Sequence, residues 1–192
     1  MKKIILIRHG QTIANLKSRY QGHTDNELTE LGLKQAKELA KILKKRYLIN
    51  AVFTSPLIRA FDTANAVAKS FKLEPFVLDE LKEIDFGKWD GLTYDEIALK
   101  YPISKWLENP LGVEIDGGEN WMSFINRINA AFKKIASSEF DNIAVVSHAG
   151  VIRFYLAGLL NLKGLDVFNF QVNNGSFCEV VVNDDRFDVN FQ

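Results

Sequence analysis

Two short runs of consecutive apolar residues constrain the fold most. Ile4–Ile7 and Ile143–Val146 contain no polar residue, which is typical of strands that are buried on both faces of a sheet. Each run passes directly into a polar turn that contains a histidine, His9 after the first and His148 after the second. Because a strand that is buried on both faces needs cover above and below, the runs predict a sheet between two layers of helices.

The chain between these runs alternates strands with helices. Apolar residues at helical spacing predict an amphipathic helix that Thr29 caps. Ala51–Thr54 is a second short strand, and Ser55 provides an N-cap with a proline at the first position of the next helix. Pro75–Leu78 is a third candidate strand. This order predicts an α/β protein with one domain over residues 1–192, a three-layer α/β/α sandwich around a mostly parallel central sheet.

The second half of the sequence is less regular. Thr93–Glu96 and Asp116–Glu119 each have the spacing of a capping box, which predicts that a helix begins at each. Residues 88–125 are therefore expected to form a small helical excursion over the functional site. Phe168–Val172 and Phe177–Val182 are the last candidate strands, and we expect them to be antiparallel because few residues separate them.

Composition restricts the possible partners and location. The 192 residues include 24 Lys+Arg and 24 Asp+Glu, so no net charge attracts nucleic acid or a membrane surface. The apolar runs are far shorter than the roughly 20 residues that span a bilayer, and the first run is too short for a secretory signal. One cysteine, Cys178, excludes an internal disulfide. We expect a cytoplasmic protein, monomer or homodimer, that binds neither nucleic acid nor a membrane.

Histidines and arginines converge at one edge of the predicted sheet. His9, Ser55 and His148 directly follow strands, and ligands bind beyond the carboxyl ends of parallel strands. Arg8 precedes His9, and Arg59 lies in the first turn of a helix, where a cation is unfavourable unless an anion binds there. Two guanidinium groups and two imidazoles in one small volume suit a phosphoryl dianion.

Four motifs carry a resemblance to a known family. They occur in order at predicted strand ends: Leu6–Thr12 with its Arg-His-Gly triplet, Ser55–Ala60, Glu83–Gly87 and Ser147–Gly150. Together they resemble the histidine phosphatase superfamily, also called phosphoglycerate-mutase-like, from residue 4 to about residue 155. An isolated Arg-His-Gly is only suggestive, whereas four ordered motifs at strand ends are specific.

The resemblance implies a role for each catalytic residue. His9 is implied to be the nucleophile, which predicts a phosphohistidine intermediate and suits a neutral imidazole near pH 7. Arg8, Arg59 and His148 are implied to bind the phosphoryl group and to stabilise its charge during transfer. Glu83 is implied to be the acid that protonates the leaving oxygen and later removes a proton from water.

Further matches extend the implied site. Asn15, Gln21 and Gly22 match the family loop that contacts phosphate and substrate, although turn formation explains Gly22 equally well. Ala149 is expected to offer a backbone N–H at the start of a helix. Asp85 is a second candidate for the proton donor. The sequence contains no metal-ligand cluster, so we expect neither a metal nor a cofactor.

Three functions are compatible with such a site. The leading hypothesis is a metal-independent phosphomonoester hydrolase that acts on a small phosphorylated metabolite. The alternatives are a cofactor-dependent phosphoglycerate mutase, which returns the phosphoryl group to a second hydroxyl, and a non-catalytic module that binds a phosphate ligand. Glu83–Gly87 resembles the phosphatase branch more than the mutase branch, which favours hydrolysis. α-Ribazole phosphatase is one of several specificities known in that branch.

Overall fold

A six-stranded sheet forms the centre of the molecule. The computed structural model describes residues 1–109, 112–162, 164–183 and 186–191. The strands are β1 (Lys2–Arg8), β2 (Ala51–Thr54), β3 (Phe76–Val77), β4 (Asn142–Ser147), β5 (Phe177–Asn183) and β6 (Arg186–Phe191). Their order in space is β3-β2-β4-β1-β5-β6; the first four are parallel, and β5 and β6 are antiparallel additions. The predicted α/β class, with a mostly parallel sheet and late antiparallel strands, is confirmed.

Helices cover both faces of this sheet. They are α1 (Ile13–Leu16), α2 (Glu30–Arg46), α3 (Ile58–Phe71), α4 (Tyr94–Ala98), α5 (Ile103–Glu108), α6 (Trp121–Ala136) and α7 (Ala149–Leu159). Within the described residues, none of them is long and apolar enough to cross a membrane. Along β1, Ile5 and Ile7 pack with α2 and α3, whereas Ile4 and Leu6 belong to the cluster that includes α6 and α7. Burial on both faces explains why this run has no polar alternation.

Two predicted helix starts are confirmed. The hydroxyl of Thr29 accepts a hydrogen bond from the backbone N–H of Gly32 at 3.0 Å, which caps α2. Thr93 and Glu96 form the predicted capping box before α4, because each side chain accepts from the other's backbone N–H.

Two other predicted helix starts are wrong. Ser55 does not cap α3, which begins at Ile58; its hydroxyl lies beside His148 instead. Asp116–Glu119 is not a capping box either, because the side-chain oxygen of Asn120 accepts from the first amides of α6. In both cases a residue with a suitable side chain makes contacts with distant parts of the chain, which sequence spacing does not reveal.

The third and the last predicted strands also need correction. Pro75–Leu78 contributes only the two residues of β3 at the edge of the sheet. No strand forms at Phe168–Val172, because residues 164–169 form a 3-10 turn. The ring of Phe168 packs 5.4 Å from that of Trp106, and the carbonyl of Val172 accepts a hydrogen bond from Arg8. The antiparallel strands at the end of the chain are β5 and β6.

The chain leaves the sheet between β3 and α6. This segment contains 3-10 turns at Asp79–Leu81 and Gly87–Trp89, followed by α4 and α5. Trp106 of α5 packs against Trp121 of α6 with ring centroids 5.6 Å apart, which brings the segment to the same side as the carboxyl ends of the strands. Residues 110 and 111 of the predicted excursion over 88–125 lie outside the described residues.

Candidate active site

The carboxyl ends of three parallel strands bring the predicted residues together. Arg8 at the end of β1 pairs in register with Ser147 at the end of β4, so His9 and His148 follow neighbouring strands. Their ring centroids are 5.2 Å apart in an edge-on arrangement. Ser55, which follows β2, places its hydroxyl 2.9 Å from Nε2 of His148. Both histidines are buried at this edge of the sheet.

A hydrogen bond holds His9 as one tautomer. Its Nδ1 lies 2.7 Å from the carbonyl oxygen of Gly10, and because a carbonyl only accepts, Nδ1 carries the proton. Nε2 of the neutral ring therefore keeps its lone pair. Burial, followed by the charges of Arg59 and Arg8, lowers the pKa of His9 well below its ordinary value of 6.5. His9 is thus a neutral imidazole with a nucleophilic Nε2 at physiological pH.

His148 is also neutral and has an unused ring nitrogen. Burial lowers the pKa of His148 well below 6.5, and the charge of Arg59 lowers it further. Its Nδ1 is buried and has no hydrogen-bond partner among the described residues. A buried polar atom without a hydrogen-bond partner destabilises the folded protein unless a ligand supplies the missing hydrogen bond.

The arginines have free donors beside these rings. Arg59 is fully buried and donates to the carbonyls of Gly22 at 2.7 Å and Thr24 at 3.0 Å. Arg8 donates to Val172 at 2.6 Å. In the described part of the chain, neither arginine finds an acceptor for its buried Nε. Burial lowers the pKa of each to about 10, so both remain charged and suit an anion that accepts from them.

Backbone amides hold the carboxylate of Glu83. One oxygen accepts from the N–H of Ile84 at 3.1 Å, and the other accepts from the N–H of Gly150 in α7 at 2.9 Å. The carboxylate also occupies the space that a Cβ at position 150 would need, so a larger residue there would displace the carboxylate of Glu83. Asp85, the second candidate for the acid, accepts from the N–H of Gly87 and does not line the cavity.

Arg8, His9 and Glu83 line one cavity of about 320 Å³, and we call them its strand-edge end. Arg59 and His148 are buried next to them and do not themselves line the cavity. Six further lining residues are aromatic, and we define them as the aromatic wall: Tyr20, Phe86, Trp106, Trp121, Phe154 and Phe168. Across the described residues, no three or more His, Cys, Asp or Glu side chains converge in a way that would hold a metal ion.

Three of the four predicted substrate-binding residues line the cavity. Asn15 and Gln21 do so from the loop after β1, and Ala149 does so from the start of α7. The Oε1 of Gln21 lies 2.9 Å from the hydroxyl of Thr12, whereas its Nε2 has no partner among the described residues. Gly22 does not line the cavity. Its carbonyl binds Arg59, and a Cβ there would lie 2.6 Å from the carbonyl oxygen of Ile84.

Sequence reasoning missed three arginines near the site. Arg19 and Arg153 line the cavity, and Arg127 contacts the backbone of the segment that ends at Glu83. Arg153 lies four residues after Ala149 on α7, so helical spacing was a usable signal for it. Arg127 lies on α6, far in sequence from Glu83, and its contacts with backbone carbonyls leave no pattern in the sequence.

Comparison with known proteins agrees with this site. A profile of the Histidine phosphatase superfamily (branch 1) matches residues 4–191. Phosphoserine phosphatase 1 of Hydrogenobacter thermophilus is 34% identical over 189 residues, which cover 97% of this chain and 89% of that protein. The adenosylcobalamin/alpha-ribazole phosphatase of Salmonella typhimurium is 31% identical over 184 residues, which cover 93% of this chain and 89% of that protein.

The fold matches solved structures over the whole chain. A mycobacterial glucosyl-3-phosphoglycerate phosphatase superposes with a TM-score of 0.88 at 30% sequence identity, covering 100% of this chain and 98% of that chain. The chain belongs to the histidine phosphatase superfamily, branch 1. The family resemblance found in the sequence is thereby confirmed.

Proposed function

We propose that this protein hydrolyses phosphomonoesters through a phosphohistidine formed on His9. The observation that carries the proposal is the tautomer of His9: the proton on Nδ1 is engaged by Gly10, so the lone pair of Nε2 is available beside two buried guanidinium groups. The neutral form of His9 avoids repulsion from these cations, and the cations attract the anionic phosphoryl group that Nε2 attacks.

The first step transfers the phosphoryl group to the enzyme. Nε2 of His9 attacks phosphorus, the bond between phosphorus and the ester oxygen breaks, and Glu83 donates a proton to the departing oxygen. Arg8, Arg59 and His148 donate hydrogen bonds to the phosphoryl oxygens while charge accumulates there. The products of this step are an alcohol and phosphohistidine.

The second step returns the enzyme to its starting state. Glu83, now a carboxylate, accepts a proton from water, and the water oxygen attacks phosphorus as the bond to Nε2 breaks. Inorganic phosphate leaves, and His9 is again neutral. None of these steps uses a metal ion or an organic cofactor.

Arginines outside the strand-edge end of the cavity indicate the chemistry of the leaving group. Arg19 and Arg153 line the cavity outside the strand-edge end, and Glu83 is the one carboxylate among the described lining residues. Arg19 already forms an ion pair with Glu96 at 2.9 Å, so Arg153 is the cation that we assign to the leaving group. This arrangement favours a leaving group that carries an anionic group or several acceptors. Phosphoserine and α-ribazole phosphate, named for two of the relatives, are therefore suitable candidates. Asn15, Gln21 and Ala149 are proposed to contact the substrate, and Gly22 to act through Arg59.

Three further expectations stay predictions. These are a single domain over residues 1–192 with its excursion over the site, a monomer or homodimer, and a cytoplasmic location.

The test is phosphate release by the purified protein in the presence of a chelator. The substrates are phosphoserine, α-ribazole phosphate, 3-phosphoglycerate and 4-nitrophenyl phosphate. We expect His9→Ala to lower kcat/KM by at least about 10⁴-fold for every substrate, because the nucleophile is lost. Mass spectrometry of the alkaline-quenched wild type should detect a phosphate on the peptide that contains His9.

Other outcomes would identify the alternatives. Turnover of His9→Ala close to that of the wild type would contradict the nucleophile assignment. Interconversion of 3-phosphoglycerate and 2-phosphoglycerate without release of phosphate would indicate a mutase. Binding of phosphate without turnover of any ester would indicate a binding module.

A further inference from the structure

We propose that Arg127 is a positioning residue for Glu83, an inference that rests on the proposed function of Glu83 as acid and base. Arg127 lies on α6 and does not line the cavity. A guanidinium has five N–H donors, and this one makes five hydrogen bonds, two to Glu119 and three to backbone carbonyls. With every donor in use, it acts through the groups that it holds.

The three carbonyls belong to the segment that ends at Glu83. Of the four carbonyl oxygens in Glu80–Glu83, three accept from Arg127 at 2.8, 2.6 and 2.9 Å. The exception is Leu81, whose carbonyl accepts from the hydroxyl of Ser147 at 2.7 Å. This segment lies outside the sheet and the α-helices, so its carbonyls depend on side chains for their hydrogen bonds.

Glu119 fixes the orientation of the guanidinium. Its two carboxylate oxygens accept from Nε and Nη2 of Arg127 at 2.6 and 2.7 Å, which is a bidentate pair. The backbone N–H of Glu119 also donates to the carbonyl of Asp85 at 2.9 Å. The chain is thus held on both sides of Glu83, by Arg127 within α6 and by Glu119 just before that helix begins.

This attachment determines where the carboxylate of Glu83 lies. The side chain is held by two backbone amides, one of them from Ile84, so a shift of the backbone moves the carboxylate relative to His9. A proton donor must stay within hydrogen-bond distance of the leaving oxygen to act.

Loss of Arg127 would leave the carbonyls of Glu80 and Lys82 without a partner among the described residues and release the segment. The carbonyl of Glu83 would keep only its contact with Nε2 of His23 at 3.0 Å.

The experiment compares two esters of similar size that differ in leaving group. Phenolate, with a pKa near 10 like tyrosine, needs a proton when it leaves, whereas 4-nitrophenolate is stable without one. We measure kcat/KM, which reports the first step, for phenyl phosphate and 4-nitrophenyl phosphate. The variants are Arg127→Met, Arg127→Lys and Glu83→Gln, with Lys134→Met as the control because Lys134 is exposed on the same helix.

We expect the Arg127 variants to share the signature of a lost acid. Glu83→Gln should lower kcat/KM for phenyl phosphate by about 10²-fold or more and change that for 4-nitrophenyl phosphate by less than about threefold. Arg127→Met should lower kcat/KM by about 30-fold for phenyl phosphate and by less than about threefold for 4-nitrophenyl phosphate. Arg127→Lys should lie between it and the wild type, because an ammonium has three donors and no planar fork. Lys134→Met should match the wild type.

The controls separate this inference from the proposed function. Circular dichroism and thermal unfolding report the folded fraction, and Arg127→Lys carries the test where Arg127→Met does not fold. Equal losses on both esters, or none, in a folded Arg127 variant would overturn the positioning role while Glu83→Gln keeps its signature. A wild type that releases phosphate from neither ester, or releases it without His9, would overturn the proposed function and the role of Glu83 with it.

Discussion

The two ends of the cavity are built in different ways. At the strand-edge end and directly beside it, His9 follows β1, His148 follows β4 and Arg59 opens a helix after β2. Glu83 is the exception, because it lies in a segment outside the sheet. The aromatic wall draws on segments that stretch from Tyr20 to Phe168 and is held by contacts between rings, with centroids 5.2 to 6.3 Å apart.

Because of this difference, we expect the strand-edge end to carry out phosphoryl transfer and the opposite end to select among esters. Backbone hydrogen bonds between parallel strands fix the turns that carry Arg8, His9 and His148, so these groups cannot move independently. Glu83 is instead held from outside the sheet, by Arg127 and by two backbone amides.

The wall combines loop residues and the short helix α5 with Trp121 of α6 and Phe154 of α7, and loops tolerate substitution more easily than a central sheet does. We therefore expect substitutions of the groups that bind the phosphoryl group to affect all esters alike, substitution of Glu83 to depend on the leaving group, and substitutions at the opposite end to change the preference between esters.

After the loss of the nucleophile in His9→Ala, the largest effect is expected from removal of the buried guanidinium of Arg59. Arg59→Met should lower kcat/KM by roughly 10²- to 10³-fold for every ester in the panel, because a preorganised donor to the transferring oxygens is lost. Inorganic phosphate should inhibit the variant more weakly as well. Steady-state kinetics with at least two chemically different esters measures both effects.

The matched control is Lys69→Met, which removes an exposed cation from the same helix. Its kinetics should equal those of the wild type. A loss of kcat/KM in Arg59→Met that is confined to one ester would contradict the proposed difference between the two ends of the cavity. It would place Arg59 among the groups that select the leaving group.

A pH dependence of stability should come from the strand-edge end. His9 and His148 stay neutral in the folded protein, whereas in the unfolded chain they take up protons near their ordinary pKa of 6.5. The unfolded state therefore binds more protons below pH 6.5, and the free energy of unfolding falls as the pH falls. Each imidazole should contribute a slope that is about 0.7 kcal/mol per pH unit at pH 6.5 and approaches about 1.4 kcal/mol per pH unit near pH 5.5.

His148→Gln tests this dependence by removing one of the two imidazoles. The free energy of unfolding, measured with urea, should change with pH less steeply than that of the wild type. The difference in slope near pH 5.5 should be about 1.4 kcal/mol per pH unit. Unfolding at about pH 8, where both imidazoles are neutral in either state, supplies the baseline. Equal slopes for variant and wild type would show that burial does not keep His148 neutral.

The smallest effect is expected outside the strand-edge end. Arg153→Met should lower the preference for 3-phosphoglycerate over glycerol 3-phosphate by about fivefold, because these esters differ by a carboxylate that the cation attracts. The ratio of the two kcat/KM values is the measurement, since it cancels any loss common to both esters. Phe76→Leu, at an exposed position on the far sheet edge, is the control. An unchanged ratio would remove Arg153 from the selection of the leaving group.

The strand-edge end was predictable because its signals are local. A doubly buried strand has a continuous apolar run, and the residue after it lies at the sheet edge, so His9 and His148 were placed by adjacency alone. Thr29 and Thr93 were also predicted correctly, because a capping hydrogen bond joins residues three positions apart.

The wrong predictions concern residues whose partners are distant in sequence. Ser55 has the side chain of an N-cap but contacts His148, 93 residues away. Asp116 has capping-box spacing but pairs with Lys88, 28 residues away. Phe168–Val172 has the composition of a strand, yet Phe168 packs into the aromatic wall. Local patterns report what a side chain can do, and the tertiary neighbours decide among these possibilities.

The position of β1 has a consequence for the order in which the site forms. β1 is synthesised before its two neighbours in the sheet, β4 and β5, which follow it by more than 130 residues. The turn at His9 is closed by residues between β4 and β5, because the N–H of Gly175 and the side chain of Asn174 donate to its carbonyl. The nucleophile is therefore synthesised well before the segments that fix it, and it gains its final geometry only after they have left the ribosome.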